Sequence, residues 1–461
     1  MWVGYTRPMK VSLQDLRHAL RRAPRIGGAD LCRVLKGIDR STLARLVAQA
    51  EQEIIRRGGS RRTRYALRRA LRGSLQSIPL YRIDAQGAGH VVGDMDLTYP
   101  EGSALTFDAR FPWPLDADEM KDGWFDSLPY PILDMRPQGF LGRNFAHHNW
   151  RMLEVPENVN DWSDADIVHA LSRFGHDQSG DLILGDQAYQ VHLDHRQQWE
   201  SRLIAERHVK TQYGQRALAA LSQGDAGSAA AGEFPKFTAM RELQGAPVAV
   251  IVKFSGADDS AAVRRWSDLL ICEHLALQTL SLLDVPAAAS EIHQHHGRTF
   301  LEVMRFDRCG AHGRLPLCSL AILNGALLGQ SGASWPALAQ ALAREKWLDT
   351  ISVARIARLW WFGKLIANTD MHEGNLSFRP GLNVAPAYDM LPMQYAPLRG
   401  GELPMVDFIP PLPLPGDSLV WQQAAVAAIN FWQRCAGDAR ISEGFRQVCA
   451  ANAERIQRAQ G

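Results

Sequence analysis

One acid-to-amide spacing constrains this chain more than any other feature of it. Asp370 is followed five residues later by Asn375 and a further fourteen on by Asp389, within Ile366-Ala-Asn-Thr-Asp370-Met-His372-Glu-Gly-Asn375-Leu-Ser-Phe378 and Ala387-Tyr388-Asp389-Met390. Phosphoryl transfer to a hydroxyl needs such a set: one carboxylate to receive the hydroxyl proton and two oxygen donors to hold a metal. The spacing predicts a short loop with Asp370 at its entrance and Asn375 at its far end, then a strand from Leu376. Asp389 is expected on the neighbouring strand, offering a carboxylate to magnesium, a hard cation that prefers oxygen.

The run departs from the ordinary protein-kinase pattern, because Asn368-Thr369 stands before the acid in place of His-Arg, and Tyr388-Asp389-Met390 stands in place of Asp-Phe-Gly. In this form it resembles the HipA-type toxin kinases, and with the N-terminal region described below it is most similar to the branch called YjjJ, or HipH. The competing reading is a polar loop between a buried helix and a strand, its acids capping turns.

At 461 residues the chain has room for two to four domains, and its 46% hydrophobic and 22% charged composition is that of a globular protein. No apolar run approaches the length that crosses a bilayer, and the first residues lack the apolar centre of a signal peptide, so a cytoplasmic location without a membrane partner is expected. Six cysteines without a CxxC pair read as buried, reduced thiols.

Charge is uneven. Residues 1–75 carry 18 Lys+Arg against 5 Asp+Glu, the remainder 33 against 44, which suggests a polyanion partner for the head alone. Leu13, Leu16 and Leu20 recur at helical period, a second short helix covers 29–35, and a third runs from Asp39 or Ser41 through Leu43, Leu46, Val47 and Ile54 to Gly58-Gly59. Residues 60–69 read as a hairpin wing, completing a winged helix-turn-helix over 1–75. Arg40, Ser41, Thr42 and Arg45 sit at the start of the third helix, where a recognition helix meets the major groove. Arg61, Arg62 and Arg64 of the wing would neutralise DNA phosphates. A protein-docking module with solvated arginines is the alternative.

Residues 76–160 read as a small β-rich subdomain without chemistry of its own, and a helix is expected over 164–175. His147-His148 and His293, His295 and His296 have no Cys or Glu at ligand spacing and read as surface residues.

The nucleotide-binding lobe is expected over 161–308. Residues 227–237 are a small-residue turn ending in Lys236, neither a Walker A loop nor a GxGxxG loop, although its small residues would let backbone N–H groups approach phosphate. A buried strand over 247–254 carries Lys253, and a helix over 262–283 places Glu273 in an apolar stripe with Trp266, Leu269, Leu270, Leu277 and Leu280. A carboxylate buried there needs a cation, and Lys253 is the natural partner. The run 300–308 after the next strand suggests the hinge that holds adenine through backbone groups, at Met304.

In the remaining lobe, 309–461, one amphipathic helix over 347–367 delivers the catalytic loop, with Trp360-Trp361 as core packing. Residues 404–415 form a proline-rich connection, and helices over 418–435 and 442–460 close the chain.

The reading is an α+β chain with a two-lobed HipA-like protein-kinase fold behind the winged head, transferring the γ-phosphoryl of Mg-ATP to a protein Ser or Thr hydroxyl. Asp370 is the base or orienting carboxylate, Asn375 and Asp389 hold Mg2+, and Lys253, positioned by Glu273, meets the phosphates. The resemblance implies that Lys236 and His372 also contact ATP phosphates. It places Ser228 within one residue of the serine that HipA-type kinases phosphorylate on themselves. It further implies a toxin of a toxin–antitoxin system acting on a translation-related protein, with a HipB-like antitoxin as a possible partner. The helix-turn-helix on the same chain departs from the family, whose DNA-binding role usually belongs to the antitoxin. Two rivals remain: a transcription regulator with a nucleotide-sensing body, and a small-molecule phosphotransferase.

Overall fold

A computed structural model of the chain describes residues 11–108, 111–222 and 234–460. Ser228 lies outside the described residues. The head begins with α1 (Leu13–Arg22), capped by Ser12, whose hydroxyl accepts the Asp15 N–H while the Asp15 carboxylate accepts that of Ser12. Then come α2 (Gly28–Val34) and α3 (Arg40–Gln49), the latter capped by Asp39, which accepts the Thr42 N–H at 2.6 Å. Strands β1 (Ile26–Gly27), β2 (Ile54–Arg57) and β3 (Arg64–Leu67) make an antiparallel sheet in the order β1-β3-β2. Leu16, Leu20, Leu31, Leu43 and Leu46 fill the core between helices and sheet.

Two expectations for the head shift. The third helix stops at Gln49 and does not reach Gly58, and Ile54 lies in β2. Adjacent β-branched Ile54 and Ile55 favour a strand, although Leu43, Leu46 and Ile54 also fit a helical period. The hairpin therefore starts at Ile54, and residues 60–69 supply only its loop and returning strand.

The next part is an antiparallel sheet of β4 (Ile78–Ile83), β5 (Gly89–Leu97), β6 (Ser103–Phe107), β7 (Trp124–Phe125) and β8 (Leu182–Leu184), ordered β7-β6-β5-β4-β8. Helices Gly139–Leu153 and Asp164–Phe174 contribute Ala146, Val168 and Leu171 to a core with Leu80, Met95 and Leu105. The head is docked on this sheet. Ile55 and Ala66 pack on Ala104 and Trp124, and Arg57 and Arg68 reach the buried carboxylate of Asp96 at 2.9 and 3.2 Å.

A second five-stranded sheet holds β9 (Leu203–Ile204), β10 (Lys236–Leu243), β11 (Ala246–Phe254), β12 (Ser290–His295) and β13 (Arg298–Met304) in the order β12-β13-β11-β10-β9. The helix Ala261–Thr279 packs on it and joins the main core. His293 is not at the surface. It is buried, 3.5 Å from Glu302, and Arg241 already pairs with both Glu291 and Glu302 at 2.7 Å. That cluster contains its own cation.

Beyond the sheet come two short hairpins, β14 (Arg308–Cys309) with β15 (Gly313–Arg314), and β17 (Ser377–Arg379) with β18 (Asn383–Val384), the second extended by β16 (Cys318–Ser319). The helix Thr350–Leu365, capped by Asp349, runs to the edge of the second hairpin. Trp432, on the helix Ser418–Gly437, donates its indole N–H to the Leu365 carbonyl at 3.1 Å and so fixes the end of the helix that precedes Asp370. Among the described residues no helix is long and apolar enough to cross a membrane.

Candidate active site

Lys253 organises the site. Its ammonium lies 2.8 Å from both carboxylate oxygens of Glu273 and also contacts the Asp389 carboxylate. On strand β11 its neighbours Val252 and Phe254 face the core, while Lys253 points to the other side of the sheet. Lys236 is its cross-strand partner on β10, so two lysines stand on one face. Burial disfavours the Lys253 ammonium, but Asp389 and Glu273 outweigh it and hold its pKa above the usual lysine range. Burial pushes the Glu273 carboxyl up, and Lys253 offsets only part of this. At Asp389 burial is overcome by Lys253, Lys236 and His372, so its pKa is lowered.

Asp370 follows a left-handed turn at Ala367 (φ 59°) that ends the preceding helix. Asn375 is buried and donates its amide to the Asp370 carbonyl at 2.8 Å. Asn368 joins the two acids: its Oδ1 accepts the Asp370 N–H at 3.0 Å, and its amide donates to the Asp389 carbonyl at 3.2 Å. Tyr388 donates to the Gly374 carbonyl at 2.8 Å and meets the Ser377 hydroxyl at 2.8 Å, locking the loop to the hairpin. His372 is exposed, and its Nδ1 accepts the Gly374 N–H at 3.1 Å, which leaves Nε2 to carry the proton outward.

Asp389 is not on a strand, contrary to the expected neighbouring-strand placement. β18 is two residues long, Pro386 cannot extend the ladder, and Asp389 sits beyond it at φ 56°. A single bridge from Ala387 to Ala287 carries the segment back to the sheet.

Lys236, Lys253, Glu273, Met304 and Asp389 line one cleft of about 260 Å³, with Gly374, Ser377 and Tyr388 from the loop and hairpin. Asp370, His372 and Asn375 are not part of that lining; Asp370 is exposed on the loop next to it. Met304, the expected hinge residue, lines the cleft and donates its N–H to the Ala289 carbonyl at 2.8 Å. The donor set of the loop fits a divalent, oxygen-seeking ion, because Asn375 and Asp389 both offer oxygen and Asp389 is ionised.

Ser179 and Asp134, read as scaffold from sequence, reach the cleft. Asp134 accepts the Ser319 N–H and hydroxyl at 2.8 and 2.7 Å and lines the cavity, its pKa raised by burial. After β13, Arg305 and Arg308 each lie 2.9 Å from Asp177, and both pair with Asp307.

Comparison with known proteins places this architecture. Residues 228–455 match the HipA-like C-terminal domain, and residues 74–193 match the YjjJ-like toxin, middle domain. The chain is 37% identical over 449 residues to Toxin YjjJ of Escherichia coli (strain K12), covering 96% of this chain and 98% of that protein. The chain belongs to the YjjJ family of HipA-like toxins. The HipA of a HipA, HipB and operator DNA complex from Shewanella oneidensis MR-1 has the same fold, with a TM-score of 0.50 at 14% identity over 83% of this chain and 99% of that one. A Helicobacter pylori proinflammatory kinase, CtkA, aligns with a TM-score of 0.34 and 13% identity over 49% of this chain and 90% of its own.

In this HipA-like chain the head residues lie apart from the cleft. Arg40, Ser41 and Arg45 are exposed and Thr42 is half-buried on α3, with the Ser41 hydroxyl donating to Asp39 at 2.8 Å. Arg61 is exposed. Arg62 and Arg64 are not simply solvated: Arg62 pairs with Asp122 at 3.2 Å and Asp118 at 3.6 Å, and Arg64 with Glu119 at 3.0 Å. These acids belong to or follow a short helix, α4 (Asp118–Lys121). The residues that sequence reasoning missed are Asn368, Tyr388 and Asp134. Asn368 alone had a local signal, a short amide side chain two residues before the acid whose N–H it accepts.

Proposed function

We propose that this chain is an ATP-dependent serine/threonine-protein kinase that uses Mg2+, and that its head, a winged helix-turn-helix, binds duplex DNA. The observation that carries the reading is the Lys253 ammonium held between Glu273 and Asp389 beside a loop in which Asn375 is bonded to Asp370. Lys253 and Lys236 orient and neutralise phosphate oxygens, with His372 donating from Nε2. Asn375 and Asp389 would hold Mg2+, which would neutralise part of the phosphates' charge when bound. Asp370 accepts the proton of the substrate hydroxyl as its oxygen bonds to the γ-phosphorus and the bond to the β-phosphate oxygen breaks, so that ADP leaves. The phosphates' approach beside Lys236 brings Ser228 under consideration as a self-phosphorylation site.

The domain spans that suit this reading are 1–75 for the head, 76–160 for the β-rich part, 161–308 for the nucleotide lobe and 309–461 for the helical lobe. A toxin that consumes ATP to modify a translation-related protein works in the cytoplasm. The complex of the Shewanella HipA with HipB and DNA supports a HipB-like antitoxin and DNA as partners here. Incubation with γ-labelled ATP and Mg2+, alone and with a cell lysate, tests the reading. Label on protein Ser or Thr is expected. Nucleotide binding without transfer would mark a sensor, and label confined to small molecules would mark a small-molecule phosphotransferase.

A further inference from the structure

A second cavity, of about 160 Å³, lies next to the nucleotide cleft, and Arg305 lines both. Its walls come from β10 and β11, from the β14–β15 hairpin, from the segment 176–202 and, through Arg216, from the helix Val209–Ser222. Six arginines, Arg196, Arg202, Arg216, Arg305, Arg308 and Arg314, face it against a single carboxylate, that of Asp177. Asp177 is already shared by Arg305 and Arg308. Among the described residues Arg314 has no carboxylate within ion-pair distance.

Arg314 is 5% exposed. Its Nη2 donates to the His176 carbonyl and to His192 Nδ1, the latter at 3.1 Å, while its Nη1 has no partner. Because His192 accepts at Nδ1, its proton belongs on Nε2, which is buried and also without a partner. The Nε of Arg216 is in the same condition. Arg314, His192 and Arg216, which carry these N–H groups, come from three elements and all line the one cavity. Burial and the neighbouring Arg308 push the Arg314 pKa down to about 9, the mark of a buried cation short of a counter-ion.

We propose that this pocket binds a small phosphate-bearing anion, a phosphomonoester, at a site separate from the nucleotide cleft. Arginines arriving from three elements suit a tetrahedral group with several terminal oxygens better than a planar carboxylate. The volume is close to that of cavities that hold a single benzene, about 150 Å³, so the phosphate group itself is enclosed and a whole nucleotide is not.

Calorimetric titration of the full chain with inorganic phosphate and with ribose 5-phosphate, at constant ionic strength, tests this. Binding is expected in the wild type, unchanged in Lys253→Ala, and weakened about tenfold or more in Arg314→Met and in Arg216→Gln. Arg216 is half-buried, and its substitution gives a second reading if the first variant does not fold. Equal binding by wild type and both arginine variants, loss of binding in Lys253→Ala, or no heat with either probe would each overturn the site.

Discussion

Asn375 gives its side-chain amide to the backbone carbonyl of Asp370 at 2.8 Å. The bond fixes which end of the amide is engaged, and in the proposed mechanism Asn375 Oδ1 serves the cation and the Asp370 carboxylate serves the incoming hydroxyl. The two residues thus divide the work. Asp370→Asn is expected to lower the rate of phosphoryl transfer by about 10²–10⁴-fold while nucleotide affinity persists. Labelled-ATP turnover and nucleotide titration on the same sample separate the two effects, and undiminished turnover would remove Asp370 from the mechanism.

Asp389 should behave differently, because it contacts Lys253 and faces the cleft. Asn tolerates the left-handed backbone at φ 56°, so Asp389→Asn tests the charge with little added strain. Magnesium-dependent ATP binding should weaken by roughly tenfold or more, as a charged ligand is replaced by a neutral one. The loss should be far smaller when nucleotide binding is measured without Mg2+. A loss equal in both conditions would mean that Asp389 acts only by holding Lys253.

Two arginines of the head's hairpin are engaged by acids of the neighbouring sheet's edge, Arg62 by Asp118 and Asp122 and Arg64 by Glu119. On the proposed DNA-binding reading a phosphate has to displace these partners. The triple change Asp118→Asn, Glu119→Gln, Asp122→Asn is expected to tighten duplex binding several-fold. Replacing Arg61, Arg62 and Arg64 by Ala should weaken binding to all duplexes and reduce the salt slope by roughly 0.9 for each phosphate no longer neutralised. Anisotropy titrations over a range of salt measure both. Identical slopes in the arginine variant and the wild type would favour a protein-docking head.

The parts legible from sequence were those whose cause is local. Glu273 in an apolar helical stripe demanded a cation, and Lys253 is there; the helix before Asp370 and the turn to Asn375 follow from period and spacing. What was hidden depends on distant pairs. Asp134 meets Ser319 across 185 residues and Asp177 meets Arg305 across 128, and neither acid has a sequence neighbour that announces a cleft wall. His293 looked like a surface residue because its partners, Glu302 and Tyr213, arrive from another strand and another helix. Asp389 missed its strand because Pro386 stops β18, a rule that could have been applied to the sequence itself.

Acid should loosen the wall around the second cavity before it touches the carboxylates. Burial pushes His176 down to about 4, with His195 and Arg314 adding to it, and pushes His192 down to about 3, with Arg314, Arg308, His176 and Arg196 adding. In the unfolded chain both titrate near 6.5. The folded state therefore binds fewer protons below that value. The stability that these histidines contribute is complete above pH ~6.5 and falls as pH drops towards their folded values, by up to about 1.4 kcal/mol per unit for each. Asp177 and Asp307, whose pKa values are held below the usual range against burial by Arg305 and Arg308, add to the loss only below about pH 4. Thermal midpoints between pH 6.5 and 5 therefore carry the contribution of these histidines, and a single variant separates it from that of other groups. His192→Gln keeps an acceptor for Arg314 but cannot titrate, so its midpoint should fall less steeply over that interval than the wild type's. A variant as acid-sensitive as the wild type would mean that His192 is not buried neutral against Arg314.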